Sequence, residues 1–304
     1  MSTALELDAI TETEPGCYPA IVQYVEQLSP SMIRVVFGGP DLEHYVGLSA
    51  PDECVTVHFP PTVDDVLPRM TEVGGVWGYH DLAVRPECRN YTVRSRTATT
   101  MTVDFVLHEV GVAADWARAA RPGHQVVLSR PRSWYCVPAD VDWQLLVADQ
   151  TGLPAVGRAL EQLAPGARAH VVLEILDEAD RQDFVTRGDV TVEWIVGAGN
   201  GATPTALVDA VSSFERPDGV GYLWFAGEAG ASRAVRAIAR KQWGFDTRHC
   251  SSIGYWRERA EEWLAKYKRY ERMALAGYNR ALREGRSEAQ AQEEFEALLE
   301  RVGL

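Results

Sequence analysis

Two rhythms of apolar and polar residues divide this chain. In its first part, β-prone or alternating runs recur at short intervals: "AIVQYVEQL" (20–28), "SMIRVVFGG" (31–39), "ECVTVHFP" (53–60), "CRNYTVRS" (88–95), "TMTVDFVLH" (100–108) and "HQVVLSRP" (124–131). Gly, Pro and Asp punctuate them, so each is predicted as a strand, and this many short strands at close spacing predict an antiparallel barrel. One helical pattern interrupts them, "VAADWARAARPG", closed by Pro122 and Gly123. Residues 61–79, "PTVDDVLPRMTEVGGVWGY", have little periodicity and are expected to form a loop on the barrel rim.

From about residue 141 the rhythm changes to nearly continuous apolar runs alternating with helical patterns. Predicted strands are "DWQLLVAD", "HVVLEILD" (170–177), "VTVEWIVG" (190–197), "YLWFAG" (222–227) and "CSSIGYW" (250–256). Between them, "QTGLPAVGRALEQL", "ATPTALVDAVSSF" (202–214) and "ASRAVRAIARKQW" (231–243) read as helices, the first with Pro154 in its opening turn. Such runs predict a parallel sheet covered on both faces. Beyond it, Trp256, Ala260, Trp263, Tyr267 and Tyr270 recur at helical spacing, and two helices are expected in the tail, their aromatic stripe packed on the body or on another subunit. The predicted divisions are 15–140, 141–256 and 257–304.

Composition narrows the function. The chain has 304 residues, 46% of them hydrophobic, enough to bury a sizeable core. Asp and Glu outnumber Lys and Arg by 43 to 30, which argues against a nucleic-acid partner and requires a local basic pocket for any anionic ligand. No stretch reaches the length of a membrane span and the first residues lack a secretory pattern, so a soluble cytoplasmic protein is expected. Cys17, Cys54, Cys88, Cys136 and Cys250 are widely spaced and form no CxxC. They suggest neither a disulfide framework nor a zinc or iron–sulfur site, leaving redox chemistry to a bound organic cofactor.

The candidate chemistry starts at "RNYTVRS" (89–95). On a strand, Arg89, Tyr91 and Val93 share one side while Asn90, Thr92 and Arg94 share the other. Arginine supplies forked, charge-assisted bonds to a phosphate, tyrosine an aromatic face for a planar ring, and threonine a short hydroxyl for a ring's polar edge. A flavin dinucleotide needs that set. Spacing alone does not separate it from a solvated arginine beside a half-buried tyrosine, the commoner arrangement.

The motifs in their order resemble the ferredoxin–NADP reductase superfamily. They are more closely similar to the siderophore-interacting protein family of FAD-dependent ferric-siderophore reductases. The resemblance rests on "RNYTVRS", "VDFVLHEVGVAADWARAARPGHQV", "LLVADQTGLPAVGRALEQLAPGARAHVVLEILD", "WFAGEAGASRAVRAIARKQWG" and "SSIGYWR", which cover most of residues 20–257. It implies a six-stranded antiparallel FAD-binding barrel, then a ferredoxin-reductase-like parallel-sheet nucleotide domain and a C-terminal helical extension. By the same resemblance Arg89 contacts the FAD pyrophosphate and Tyr91 packs on the isoalloxazine. Thr92 and the Val93 backbone bond its polar edge, with Arg94 on the same strand. His108 reaches ribose or phosphate, and Gly111, Val112, Ala113 and Ala114 open the helix that receives the phosphates. Serine is common near Ala114 in the family, and this chain lacks that hydroxyl. "ADQTGLPA" keeps Asp149 and Thr151 of the family's Asp-Glu-Thr-Ala-Leu-Pro-Ala turn, with Gln150 in place of glutamate, and the resemblance implies Thr151 as a flavin or adenine contact.

A nicotinamide site is harder to read. No GxGxxG follows the first strand of the α/β part, and the glycine-rich turns "GAGNGA" (197–202) and "AGEAGAS" (226–232) serve tight geometry as readily as phosphate. Gly227 and Glu228 of the second turn are candidates, and so are Glu174 and Asp177 as ribose acceptors. Arg181 and Arg187 could instead accept the extra phosphate of NADPH. Lys266, Lys268 and Arg269 are candidate contacts for an anionic ferric siderophore, against the ordinary alternative of a solvated face. The long tail resembles that of family members linked with NADH or ferredoxin as donor. The expected activity is FAD-dependent reduction of ferric siderophore by NAD(P)H or ferredoxin. The alternatives are another flavin-dependent electron-transfer reductase and a non-catalytic siderophore-binding protein.

Overall fold

The computed structural model describes residues 16–73, 76–108, 111–258, 260–286 and 288–303. The first strands are β1 (Cys17–Ser29), β2 (Met32–Gly38), β3 (Cys54–His58), β4 (Thr71–Val73), β5 (Val76–Gly78), β6 (Cys88–Arg96) and β7 (Thr100–Val106). Helix α1 (Val112–Ala119) and strand β8 (Gln125–Ser129) follow. Six of these strands close an antiparallel barrel in the order β1-β2-β7-β6-β3-β8, the architecture that the alternating runs predict. Its interior is filled by Phe37, Phe59, Val93, Val103 and Phe105, all at most 1% exposed. Helix α1 adds Ala113, Trp116 and Ala117 to the same core, with the Trp116 ring 5.5 Å from that of Phe59 and 5.8 Å from that of Phe105. Each large apolar side chain so enclosed contributes about 1.5–3 kcal/mol. One charge is taken inside: Asp104 on β7 accepts two bonds from Arg34 on β2, at 2.7 and 2.8 Å.

Residues 61–79 differ from expectation. β4 and β5 pair antiparallel, Thr71 opposite Gly78, and Met70 and Tyr79 beside them pack on Cys17 and Val127. A Gly-Gly pair between two β-prone triplets is a hairpin signal that the low overall periodicity conceals.

The remaining elements are β9 (Trp143–Ala148), α2 (Leu153–Gln162), β10 (Arg168–Ile175), β11 (Asp189–Val196), α3 (Leu207–Ser213), β12 (Gly221–Glu228), α4 (Ala229–Lys241) and β13 (Cys250–Trp256), then α5 (Ala260–Tyr267), α6 (Glu271–Arg283) and α7 (Glu288–Arg301). Five parallel strands run in the order β11-β10-β9-β12-β13. The central strands β9 and β12 are buried along almost their whole length, which is why their sequences are apolar without alternation. By its contacts the chain forms two compact units, and residues 27–32 and 49–53 group with the α/β unit, as do the tail helices.

Two helix expectations change. α3 starts at Leu207 rather than Ala202, because the Glu174 carboxylate takes the Ala206 N–H at 2.6 Å and the Thr205 hydroxyl at 3.0 Å, holding the preceding residues in a turn. The tail has three helices among the described residues, not two. Trp256 ends β13, and a turn at 268–270 separates α5 from α6, where the Arg269 and Tyr270 N–H groups bond back three residues to Lys266 and Tyr267. No helix of the described residues is long and apolar enough to cross a membrane.

Candidate functional site

In the barrel unit the chemistry gathers on β6 and α1. Tyr91 and Val93 face the core: Val93 is fully enclosed, and the Tyr91 ring lies 4.4 Å from Phe105. Burial pushes the Tyr91 phenol well above its ordinary range, against the pull of the Arg89 guanidinium. The alternation expected for this strand holds through Thr92 and then breaks. Val93 lies opposite Val103 but Ser95 lies opposite Thr102, so Arg94 is one residue too many, a bulge that interrupts the ladder. Arg89 is exposed, donating to Glu87 at 3.0 Å and to the Cys88 carbonyl at 2.7 Å.

Thr92 is the unusual member. It is 5% exposed, yet its hydroxyl has no hydrogen-bond partner among the described residues. A buried hydroxyl left unpaired costs about 1–3 kcal/mol, so one at this place calls for an external partner. Helix α1 offers the second set of open groups. Its N-cap, Gly111, has no side chain to cap with, and no side-chain cap bond is made, leaving the first-turn N–H groups of Val112, Ala113 and Ala114 for an anion. Ala113 and Ala114 themselves are buried, so only their backbone can serve. His108 is exposed beyond the end of β7, its carbonyl accepting from Arg118.

In the α/β unit the other candidates lie at the carboxyl ends of the strands, where such sheets receive ligands. The strand order reverses direction between β9 and β12. Asp149, after β9, is buried there: Oδ1 accepts from the Thr151 N–H at 2.9 Å and the Thr151 hydroxyl at 2.6 Å, and Oδ2 accepts from the Trp256 indole at 2.6 Å. Burial raises the Asp149 carboxyl above its ordinary range despite those bonds. Gly227 is required beside it, since a Cβ would come within 2.8 Å of Asp149 Oδ2. Glu228 caps α4, accepting from the N–H groups of Gly230 and Ala231. Glu174 is fully buried and engaged by Thr205 and Ala206, and burial raises its carboxyl too.

Asn200, which residue-type reasoning did not single out, ties these turns together. Held at φ 55°, it accepts from the Gln150 N–H at 3.0 Å and donates to the Glu174 carbonyl at 3.3 Å. Arg181 pairs with Glu178 at 2.8 Å. Of the three basic tail residues, Lys266 lines a cleft of about 390 Å³ whose other walls include Arg233, Arg257 and Trp263. Lys268 and Arg269 are exposed on the turn after α5 and do not line it.

The family model described as siderophore-interacting FAD-binding domain matches residues 21–135, and that described as siderophore-interacting protein matches residues 141–259. The chain belongs to the siderophore-interacting protein family. It is 33% identical over 268 residues to an uncharacterised protein of Mycobacterium tuberculosis, with 82% of this chain and 94% of that protein covered. To the NADPH-dependent ferric-chelate reductase of Escherichia coli it is 29% identical, over 76% of this chain and 89% of that one. The crystal structure of a siderophore utilization protein from T. fusca matches with a TM-score of 0.70 at 30% identity, over 80% of this chain and 93% of that one. A ferredoxin-NADP+ reductase from Plasmodium falciparum, at 10% identity, TM-score 0.55 and coverages of 79% and 96%, shares the fold alone.

FAD is therefore the cofactor of the barrel domain. The residues present fit it. An unpaired buried hydroxyl at Thr92, an uncapped helix start at Gly111 and an exposed guanidinium at Arg89 lie within one unit and are of the kinds that would meet a ring's polar edge and a diphosphate.

Proposed function

We propose that this chain reduces ferric siderophores, taking electrons from NAD(P)H or ferredoxin and releasing Fe(II) in iron acquisition. The observation that carries the reading is the Thr92 hydroxyl, buried without a partner on the strand that also bears Arg89 and Tyr91. Family membership and the name of the Escherichia coli relative support the choice of acceptor. When bound, FAD accepts a hydride or single electrons and gives electrons up one at a time, as an Fe(III) acceptor requires.

The chain's own groups bind and orient. Arg89 leaves its exposed pair with Glu87, worth no more than about 1 kcal/mol, to neutralise the diphosphate. The N–H groups of residues 112–114 share that charge, with Arg94 and His108 nearby in sequence. Tyr91, its ring fixed against Phe105, gives the planar ring a wall, and Thr92 with the Val93 backbone meets its polar edge. In the α/β unit, Asp149, Thr151, Gly227 and Glu228 shape the strand-end crevice for a nicotinamide donor, and Glu174 acts through the turn that it holds. Lys266, Lys268 and Arg269 attract an anionic chelate. No side chain is assigned as acid, base or iron ligand, because changing the iron from ferric to ferrous is itself what loosens a hard-oxygen chelator's hold.

The test is anaerobic reduction of the purified yellow protein with NADH, NADPH and reduced ferredoxin in turn, followed by ferric siderophores with a chromogenic trap for Fe(II). Rapid flavin reoxidation with trapped ferrous iron is expected. Flavin reduction with no response to any ferric chelate would make it a different flavin reductase. A folded product that stays colourless in excess FAD would leave only siderophore binding.

A further inference from the structure

NADH and NADPH differ by one phosphate, and the groups after β10 discriminate between them. In the strand order β11-β10-β9-β12-β13 the first strand, β9, is flanked by the second, β10, and in such sheets the turn after the second strand meets the adenosine ribose. Here that turn carries Asp177, Glu178 and Asp180 against the single guanidinium of Arg181. Its shape needs no ligand. Asp177 Oδ1 accepts from the Ala179 N–H at 2.8 Å, Asp180 Oδ2 accepts from the Asp177 N–H at 3.3 Å, and the buried Asp180 also accepts from the hydroxyls of Ser29 and Ser31. Asp177 and Glu178 stay exposed.

The two arginines that the sequence offers for an extra phosphate are placed against that role. Arg181 pairs with Glu178 and lies over the Trp194 indole at 5.7 Å, and that indole stacks on Phe184. The Arg187 carbonyl accepts from the Gly166 N–H just ahead of β10 and β11, so Arg187 sits at the amino-terminal edge of the sheet. The length of an eight-residue strand, about 26 Å, separates it from the ligand edge. Among the described residues, the unmet side-chain capacity at the ends of β9 and β10 is on acceptors. Gln150, fully buried, donates through Nε2 to Ser31 at 2.5 Å, the serine that also donates to Asp180, and its Oε1 has no partner. Glu174 Oε1 is likewise buried and unpartnered. Such oxygens take a proton from a ribose hydroxyl and offer nothing to a phosphate, which brings only acceptors and a charge of about −1.5 to −2.

We infer that the nucleotide donor is NADH rather than NADPH, with Asp177 as the specificity-determining residue. Its second oxygen accepts from the 2′-hydroxyl of the adenosine ribose, and its charge with that of Glu178 repels a 2′-phosphate. The inference rests on the nicotinamide branch of the reading above, and it removes Arg181 and Arg187 from the candidate phosphate contacts.

The experiment uses the full-length FAD-loaded protein. Anaerobic stopped-flow reduction of the flavin should give a kcat/KM at least about tenfold higher for NADH than for NADPH, the difference lying in KM and narrowing as salt rises. Calorimetric titration reads the same choice without turnover, with ADP-ribose bound at least about tenfold more tightly than 2′-phospho-ADP-ribose. Asp177→Asn keeps an oxygen for the Ala179 N–H, so the turn stays folded, and removes the charge. It should improve NADPH about tenfold through KM and weaken NADH by no more than about threefold, whereas Asp177→Glu should retain the preference. Glu178→Gln, which also releases Arg181, should move NADPH the same way and leave NADH unchanged. Equal or better use of NADPH by the unaltered protein, equal shifts on both donors in Asp177→Asn, a change confined to kcat, or no binding of either fragment would overturn the inference. Flavin reduction by NADH that no ferric chelate reverses would sink the proposed activity and spare the choice of donor. Ferric-siderophore reduction driven equally by NADH and NADPH would do the reverse.

Discussion

Replacing Thr92 by valine separates what a side chain does for the fold from what it does for the cofactor. Valine has nearly the shape of threonine and no hydroxyl. In the FAD-free protein that hydroxyl is buried and unpaired, a condition costing about 1–3 kcal/mol, so Thr92→Val should stabilise the apoprotein by about 1 kcal/mol. Toward FAD the sign reverses. Losing one hydrogen bond of about 0.5–1.5 kcal/mol should raise the Kd about two- to tenfold. Urea unfolding of the apoprotein measures the first number, and flavin fluorescence titration the second. Thr92→Ser, which keeps the hydroxyl, should restore binding. An apoprotein destabilised by more than about 1 kcal/mol together with an unchanged FAD Kd would refute the assignment, since the hydroxyl would then be serving the fold.

Three further outcomes are expected. Glu87→Gln releases Arg89 from an exposed pair and removes a charge that repels phosphate, so FAD should bind more tightly by no more than about fivefold, as read by the same titration. Arg34→Met leaves the Asp104 carboxylate, wholly buried, without its counter-charge. It should cost about 3–5 kcal/mol in urea unfolding, most of it recovered by adding Asp104→Leu. Burial holds the His58 imidazole at about 4, below its ordinary 6.5. The unfolded chain therefore takes up a proton near 6.5 that the folded chain refuses until about 4, and stability should fall as pH drops through that window. His58→Gln should lack this slope when unfolding is compared at the two ends of the window.

Much of the architecture is legible in the order of residues, because a strand's alternation and a buried strand's apolar run are local properties. All six barrel strands and all five sheet strands lie where the patterns put them. The misreadings are places where a distant group intervenes. Periodicity carries α3 back to Ala202, but Glu174 from a neighbouring strand takes the Ala206 N–H and moves the start. Helical spacing draws Trp256 into a tail helix, yet its indole bonds to Asp149 from the end of a strand. The bulge at Arg94 is invisible in "YTVRS", since it is a property of the register with β7. Asn200 gave one usable signal, an asparagine among glycines, the residue type that tolerates positive φ, and its two bonds to other turns gave none.

What the sequence determined by itself is the barrel and sheet strands and the family, since periodicity and ordered motifs need no partner to be read. Tertiary structure alone decided which polar groups are occupied. It engages the carboxylates of Asp149, Glu174 and Glu228 with neighbouring turns, leaves the Thr92 hydroxyl unpaired, and lays Arg257 on Trp263. The physical reason is that a hydrogen bond or a buried charge depends on what lies within about 3 Å, and residues far apart along the chain supply it.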